Sequence, residues 1–321
     1  MKAAVYHRTG PPEVLQYEDV PDPVVRPGGV LIRVEAVSIE GGDVLNRAGG
    51  ELSGDPHIVG YQCAGTIVAV GDGDVAGFEA GQRAVAVMAN GSHAELVSVP
   101  ARAAWPIPDG ADLLEAACVP VAFGTADDCL FEFGHLRAGE TVLIQAGAGG
   151  VGLAAIQLAK RAGATVLATA SSREKLDRLT EFGLDHGINY RDSDFAVEAR
   201  ALTGGRGVDL VVDSVGGTTL EGSLRSLAYR GRAITVGNAG REHRPIDISG
   251  LMIGNQSLTG VFLGAEIATD RVHDMIGRHL DDVAAGRLRV VIDRTFPLAD
   301  AAAAHAFLES RQAFGRVVLV P

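Results

Sequence analysis

The sequence predicts an α/β chain in two parts: a β-rich N-terminal third, then a doubly wound parallel sheet. Three observations carry this. Before Ala111, short apolar runs such as residues 30–34 and 65–70 alternate with breaks at Pro21-Asp22-Pro23, Pro27-Gly28-Gly29 and Gly71-Asp72-Gly73-Asp74, the spacing of a compact β domain. After Ala111, apolar strand-like runs alternate with helical stretches, the pattern of parallel βαβ units with right-handed crossovers. The length of 321 residues, 47% of them hydrophobic and only 5% aromatic, suits about two packed cores joined by tight turns.

Residues 1–6 read as a strand, and residues 111–117 and 125–133 have helical composition. A strand at 141–145 precedes a glycine-rich turn and a helix at 151–162. A strand at 165–170, a helix at 173–182, a strand at 209–213, a helix at 220–227 and a strand at 232–236 continue the alternation. Residues 257–263 read as one more strand, 270–285 as a helix, and 316–320 as a final strand returning to the first part.

With 40 acidic against 28 basic residues, the net charge of −12 disfavours nucleic acid and anionic membrane surfaces as partners. No run has the length and apolarity of a membrane span, and the N-terminus lacks the basic, apolar and small-residue pattern of a signal peptide. The three cysteines, Cys63, Cys118 and Cys129, are scattered and odd in number. This predicts reduced thiols and a cytoplasmic location.

The chemistry-bearing motif is Thr141-Val142-Leu143-Ile144-Gln145-Ala146-Gly147-Ala148-Gly149-Gly150-Val151-Gly152, a G-x-G-x-x-G that follows a strand and opens a helix. In that context it predicts a dinucleotide. The first glycine allows the tight turn, the second admits the pyrophosphate close to the backbone, and the third lets helix and strand pack. The helix N-terminus then offers N–H groups to the anion. Alone, the pattern also fits a glycine turn with no ligand.

The next strand selects between NAD and NADP. An NAD site carries an acidic residue about twenty positions after the turn. Here the strand ends Ala170-Ser171-Ser172-Arg173-Glu174-Lys175, with two hydroxyls and two cations, and Glu174 a turn into the helix. Hydroxyl donors and positive charge suit a 2′-phosphate, which predicts NADPH. Arg173 and Lys175 are also readable as solvated helix charges.

With these residues in view, the chain resembles the zinc-independent quinone oxidoreductase branch of the medium-chain dehydrogenase/reductase superfamily. The likeness rests on Ala3-Ala4-Val5, Gly10-Pro11-Pro12-Glu13-Val14-Leu15, Gly124-Thr125-Ala126, Ile188-Asn189-Tyr190-Arg191, Asp213-Ser214-Val215-Gly216-Gly217 and Val236-Gly237-Asn238. Leu308-Glu309-Ser310-Arg311 and Gly315-Arg316-Val317-Val318-Leu319 complete it. The resemblance implies a GroES-like catalytic domain (1–122 and 266–321), a Rossmann NADPH-binding domain (123–265), and an active site in the cleft between them. It also implies that Lys175, Tyr190 and Arg311, with Ser171, Ser172 and Arg173, surround the 2′-phosphate. Thr125, Ser214, Val215, Val236, Gly237, Asn238, Phe262 and Leu263 would line the rest of the cofactor path beside Gly147, Ala148, Gly149, Gly150 and Val151.

Zinc-dependent members use a Cys in a Cys-x-x-Asp segment, a His-Glu pair after a Gly, and a further Cys; thiolate and imidazole suit zinc. In register, this chain has Glu40 of Glu40-Gly41-Gly42-Asp43, then Gly60-Tyr61-Gln62, then Val121. No four closely spaced Cys are present for a structural zinc lobe. The expectation is therefore no metal. Glu40 also departs from the Asn usual in the quinone reductase branch. It is a candidate to position substrate, relay a proton or bind the carboxamide, or else to pair with a cation such as Arg47. Tyr61 is a candidate phenol donor to a substrate carbonyl, or a core aromatic with a satisfied hydroxyl.

The expected reaction is hydride transfer from NADPH to a quinone or an α,β-unsaturated carbonyl, whose conjugation spreads the developing charge and makes a strong Lewis acid less necessary. An enoyl-thioester reductase and a low-turnover NADPH-binding sensor or structural protein are the competing readings. Residues 257–263 resemble the edge strand through which such reductases pair, predicting a homodimer.

Overall fold

The computed structural model describes all residues from Met1 to Pro321. The chain divides into two compact units, Met1–Gly124 with Gly264–Pro321, and Thr125–Leu263.

The first unit begins with β1 (Lys2–Tyr6), β2 (Gln16–Asp19), β3 (Gly29–Ser38), β4 (His57–Ile58), β5 (Gln62–Val70), β6 (Arg83–Val87), β7 (Leu96–Pro100) and β8 (Ala104–Pro106). The second unit holds β9 (Thr141–Ile144), β10 (Thr165–Ala170), β11 (His186–Asn189), β12 (Val208–Asp213), β13 (Leu227–Thr235) and β14 (Ser257–Gly260). The chain then returns to the first unit for β15 (Ile292–Pro297) and β16 (Arg316–Val320).

In the first unit, β2-β1-β4 form a small sheet, and β15-β16-β3-β5-β6-β8 form the main one, with β7 also on β3. Strand β3 organises the unit. Its Val30, Ile32, Val34 and Ala36 are buried while Arg33 and Glu35 face out, the two-residue alternation of a half-buried strand. The C-terminal strand β16 pairs antiparallel with its end, Val318 opposite Ser38 and Leu319 opposite Val37. That pairing brings Arg316 to Ser38 across the whole length of the sequence.

This unit is not all-β before Ala111, as the sequence suggested. Residues 41–49 form a helix, Gly41–Gly49, started at Glu40. The Glu40 N–H donates to Asp43 Oδ2 (2.8 Å), half of a capping box, and Val44 and Arg47 turn inward.

In the second unit all six strands are parallel, in the order β11-β10-β9-β12-β13-β14. This is the doubly wound order of a dinucleotide fold, with its switch point between β9 and β12. Leu143, Leu167, Ile188, Val208, Val211 and Ala233 form its core. Several predicted bounds shift. The helix expected at 220–227 runs Gly217–Ser226, and β13 starts at Leu227 rather than 232, passing a left-handed Arg230 (φ 60°). Strand β14 stops at Gly260, short of 263, where the chain enters the short helix Leu263–Glu266. No helix is long and apolar enough to cross a membrane.

Candidate functional site

The glycine turn sits at the C-terminal end of β9, at the switch point. The left-handed residue of the turn is Ala146 (φ 53°), not Gly147 as the motif suggested. Gly147 is needed for space: a Cβ there would stand 2.9 Å from Ala168 Cβ and 3.0 Å from Leu179 Cδ1. Gly152 is needed for the same reason, because a Cβ would lie 2.4 Å from the Ala146 carbonyl oxygen. Gly149 differs. Its Cβ would meet only the Ala146 oxygen, at 3.4 Å, so the protein itself leaves that side open. Gly149 is also the N-cap of the helix Gly150–Arg161 and supplies no side-chain cap. The first-turn N–H groups, which no helix satisfies internally, are thus offered to an anion. Ala148 precedes the N-cap, and Gly150 and Val151 open the helix.

At the end of β10, Ser171 and Ser172 are half-buried, and Ser172 caps the helix Arg173–Leu179 by accepting from the Lys175 N–H (3.3 Å). Tyr190 follows β11, and its N–H donates to the Ala170 carbonyl (3.3 Å). The serines and the 41%-exposed Tyr190 therefore share one rim. Arg173 lies beside them but bonds Asp177 (2.8 Å) along its own helix, an exposed pair of small energetic weight. Glu174 is exposed. Arg311 belongs to the first unit, at a left-handed turn (φ 58°) after the helix Ala301–Glu309.

The loops after β12 and β13 are laced together. The Val236 N–H donates to Asp213, Ala239 to Ser214 and Gly240 to Val215, at 2.9, 3.1 and 2.8 Å. Asn238 is held against Gly216, and its Oδ1 is buried with no partner. A buried amide oxygen without a donor suits a ligand amide, and the nicotinamide carboxamide is one. Gly237 is exposed, Thr125 is buried in the helix Val119–Asp127, Leu263 is buried and Phe262 is exposed. The turn, the rim and these loops fit a dinucleotide.

In the first unit, Glu40 is buried. Its Oε1 accepts from the Arg316 guanidinium and the Gln62 side-chain amide. Arg316 also donates to Ser38 Oγ (2.6 Å) and to the Ile39 carbonyl (2.9 Å), and the Val121 N–H donates to Gln62 Oε1 (3.1 Å). Burial pushes the Glu40 carboxyl up, and Arg316 opposes the rise. The suggested partner Arg47 is instead tied to Glu309 and the Gly10 carbonyl. The hydroxyl of Tyr61 packs on Gly42 at the start of the helix Gly41–Gly49. Burial first, then the negative charges of Asp43 and Glu40, push its phenol above the ordinary value, so it is a protonated donor.

These groups do not fit the superfamily's zinc. The Glu40 carboxylate is engaged by a guanidinium, against which a divalent cation would stand charge to charge. Val121 offers a backbone N–H where a thiolate would be needed. No three His, Cys, Asp or Glu gather in a metal-binding group. Burial pushes the Cys63 thiol up to about 12 and that of Cys118 to about 11, so neither is a ready thiolate.

Sequence reasoning passes over Arg316 and Gln62 as partners of Glu40. It also passes over Gln145, Thr169, Asp213 and Ser223 as a buried group. Polar residues closing apolar strands are the signal that marks three of those four.

Comparison with known proteins agrees with this geometry. Residues 26–109 match the family described as Alcohol dehydrogenase GroES-like domain, and residues 150–278 the one described as Zinc-binding dehydrogenase. The latter span contains none of Glu40, Tyr61, Gln62 or Val121. The chain is 35% identical to a 2-haloacrylate reductase of Burkholderia sp over 329 aligned positions, covering 99% of this chain and 98% of that one. A mycobacterial protein solved with NADPH superposes at a TM-score of 0.94 with 35% identity, covering 100% of both chains. The Escherichia coli quinone oxidoreductase, also solved with NADPH, superposes at 0.95 with 29% identity, again over 100% of both. The chain belongs to the medium-chain dehydrogenase/reductase superfamily, in its quinone-oxidoreductase-like branch.

Proposed function

We propose that this oxidoreductase reduces quinones or α,β-unsaturated carbonyls with NADPH and without zinc. The observation that carries the reading is the pairing of an open, uncapped glycine turn with a Ser171–Ser172–Tyr190 rim that bears no carboxylate at its tip. Bound NADPH supplies the hydride. The turn residues Gly147, Ala148, Gly149, Gly150 and Val151 hold the pyrophosphate. Ser171, Ser172, Arg173, Lys175 and Tyr190 take the 2′-phosphate. Thr125, Ser214, Val215, Val236, Gly237, Asn238, Phe262 and Leu263 line the nicotinamide half, with Asn238 Oδ1 accepting from the carboxamide.

The remaining work is stabilising charge on the substrate oxygen. Tyr61, kept protonated, is the donor for it. Glu40 is held by Arg316 and Gln62, and its role is to orient that donor region through the helix start it shares with Gly42. Because a conjugated acceptor delocalises charge, a single phenol donor suffices where a plain ketone or alcohol would need a Lewis acid. The 2-haloacrylate reductase is named for a conjugated acid, and the Escherichia coli relative for quinones.

The test is steady-state NADPH oxidation against quinones, enones, enoyl thioesters and simple alcohols with NADP. Turnover of quinones or enones, unaffected by chelation, is expected. Fast alcohol oxidation abolished by chelation would refute the proposal. Preference for enoyl thioesters would move the substrate class, and tight NADPH binding without turnover would favour a sensor. We further propose a homodimer through residues 257–263, since β14 is an unpaired sheet edge in the single chain. A monomer by light scattering at micromolar concentration would contradict it.

A further inference from the structure

Beneath the cofactor-facing loops of the second unit runs a chain of buried polar side chains. The Ala146 N–H, in the glycine turn, donates to Thr169 Oγ1 (3.2 Å). The Thr169 hydroxyl donates to Gln145 Oε1 (2.7 Å). The Gln145 amide donates to Ser223 Oγ (3.0 Å), and the Ser223 hydroxyl donates to Asp213 Oδ2 (2.7 Å). The other oxygen of Asp213 accepts from the N–H groups of Val215 and Gly216, both at 2.8 Å. Asp213 and Ser223 are fully buried, Thr169 and Gln145 nearly so.

Two features set this apart from ordinary core satisfaction. Every donor points the same way, toward one carboxylate, so each bond polarises the next. The two ends of the chain are also backbone groups of different loops, one in the glycine turn and one in the Ser214–Val215–Gly216 loop. Those loops leave neighbouring parallel strands, β9 and β12. Ala146 has a left-handed backbone (φ 53°), which L-residues disfavour, and the Thr169 hydroxyl anchors its N–H.

We propose that Thr169, Gln145, Ser223 and Asp213 are positioning residues that set the pyrophosphate turn and the nicotinamide-side loop as one unit, so that a change at one end is felt at the other. The functional half of this claim rests on the NADPH reading above; the structural half does not. None of the four touches the cofactor in that reading; they act through the N–H groups they hold. An alternating set of independent core bonds would stabilise the fold but would not transmit from turn to loop.

Two measurements test it. In the cofactor-free protein, Thr169→Val removes the hydroxyl, and amide exchange of Val215 and Gly216 is followed. Exchange there is expected to quicken about ten-fold, the loss of one net buried hydrogen bond transmitted along the chain. Thr169→Ser, which keeps the hydroxyl, is expected to restore the wild-type rate. Exchange unchanged at Val215 and Gly216 in Thr169→Val overturns the proposal, whatever NADPH does.

The second measurement is NADPH affinity by titration, wild type first. Thr169→Val and Ser223→Ala are each expected to weaken binding about ten-fold, and the double variant by clearly less than a hundred-fold because they share one network. Lowered thermal midpoints with unchanged affinity, or fully multiplicative losses, overturn it. Should Ser223→Ala fail to fold, Asp213→Asn, of equal size, takes its place with the same expected loss. A wild type that binds no NADPH refutes the cofactor reading and leaves the exchange test to decide the coupling.

Discussion

Replacing Arg316 by Met removes the cation from a buried carboxylate while keeping an unbranched side chain of similar length. Glu40 is only 4% exposed, and its remaining partners, the Gln62 amide, Ser38 and the Asp43 N–H, are all uncharged. Breaking a buried ion pair from one side costs about 3–5 kcal/mol, because the surviving charge is desolvated without compensation. The upper end applies here, since Ser38 Oγ and the Ile39 carbonyl lose a donor at the same time. For a unit of this size that loss lowers the thermal midpoint by roughly 6–20 °C. Trp105 is the only tryptophan and lies buried in β8 of the same unit, so its fluorescence during urea unfolding reports that unit directly. The double variant Glu40→Gln/Arg316→Met leaves no charge stranded at position 40 and is expected within about 1–2 kcal/mol of wild type.

The sign of the pH dependence follows. Burial already raises the Glu40 carboxyl, and Arg316 opposes that rise, so its removal raises the carboxyl further. A carboxyl whose folded value lies above its unfolded value binds its proton more tightly in the folded state. Its penalty is present at neutral pH and fades as pH falls through the folded value. Arg316→Met should therefore regain stability relative to wild type as pH falls from neutral through the raised folded value, and the double variant should not regain it at Glu40. A loss below about 1 kcal/mol, or a double variant no more stable than the single, would refute the view that the pair is a strongly coupled, desolvated unit.

Three further predictions concern the cofactor and the donor. Gly149→Ala keeps a permitted backbone (φ −85°) and meets only one oxygen at 3.4 Å, so the thermal midpoint should hold while NADPH affinity falls about ten-fold or more; Gly152→Ala, at 2.4 Å from the Ala146 oxygen, should lose both, with about 1–3 kcal/mol of stability. Ser172→Asp preserves a good helix cap yet sets a carboxylate on the rim, so KM for NADPH should rise about 10–100-fold with KM for NADH little changed; equal effects on both cofactors would remove the rim from the 2′-phosphate. Tyr61→Phe should lower kcat about 10–100-fold at unchanged KM for NADPH. Because its phenol lies above the ordinary value of 10.0, wild-type kcat should show no loss from it on the alkaline side up to that pH.

Local chemistry made the second unit readable. The glycine turn, the rim at Ser171–Ser172 and strand β10 follow from contiguous residues, and β10 has its predicted bounds because a short apolar run lies there between Gly163 and the Ser171–Ser172 pair. Where bounds moved, tertiary contacts prevailed over pattern. Strand β13 extends back to Leu227 because Val208 of β12 pairs with Leu227, and β14 ends at Gly260, where its pairing with Thr235 of β13 stops. The helix Gly41–Gly49 was hidden by its glycines, which are poor helix formers, although its Glu40–Asp43 box was in plain view.

The departure at Glu40 shows what position alone withholds. Register comparison locates the residue and leaves its task open, because a buried carboxylate's chemistry is set by its partners. The candidate cation nearest in sequence, Arg47, shares the helix, but it points to Glu309. The actual cation, Arg316, lies 276 residues away and arrives only because β16 adds to the end of β3. That pairing changes the chemistry: a lone carboxylate at this spot would invite a metal or a proton, whereas one held by a guanidinium and an amide is committed. In the reading proposed above the proton-donating task then falls to Tyr61, whose phenol is kept protonated first by burial and then by the charges of Asp43 and Glu40. On that proposal a metal site and a phenol site are alternative uses of one scaffold, and the C-terminal strand, which brings Arg316 to Glu40 from far away in sequence, is what sets them apart.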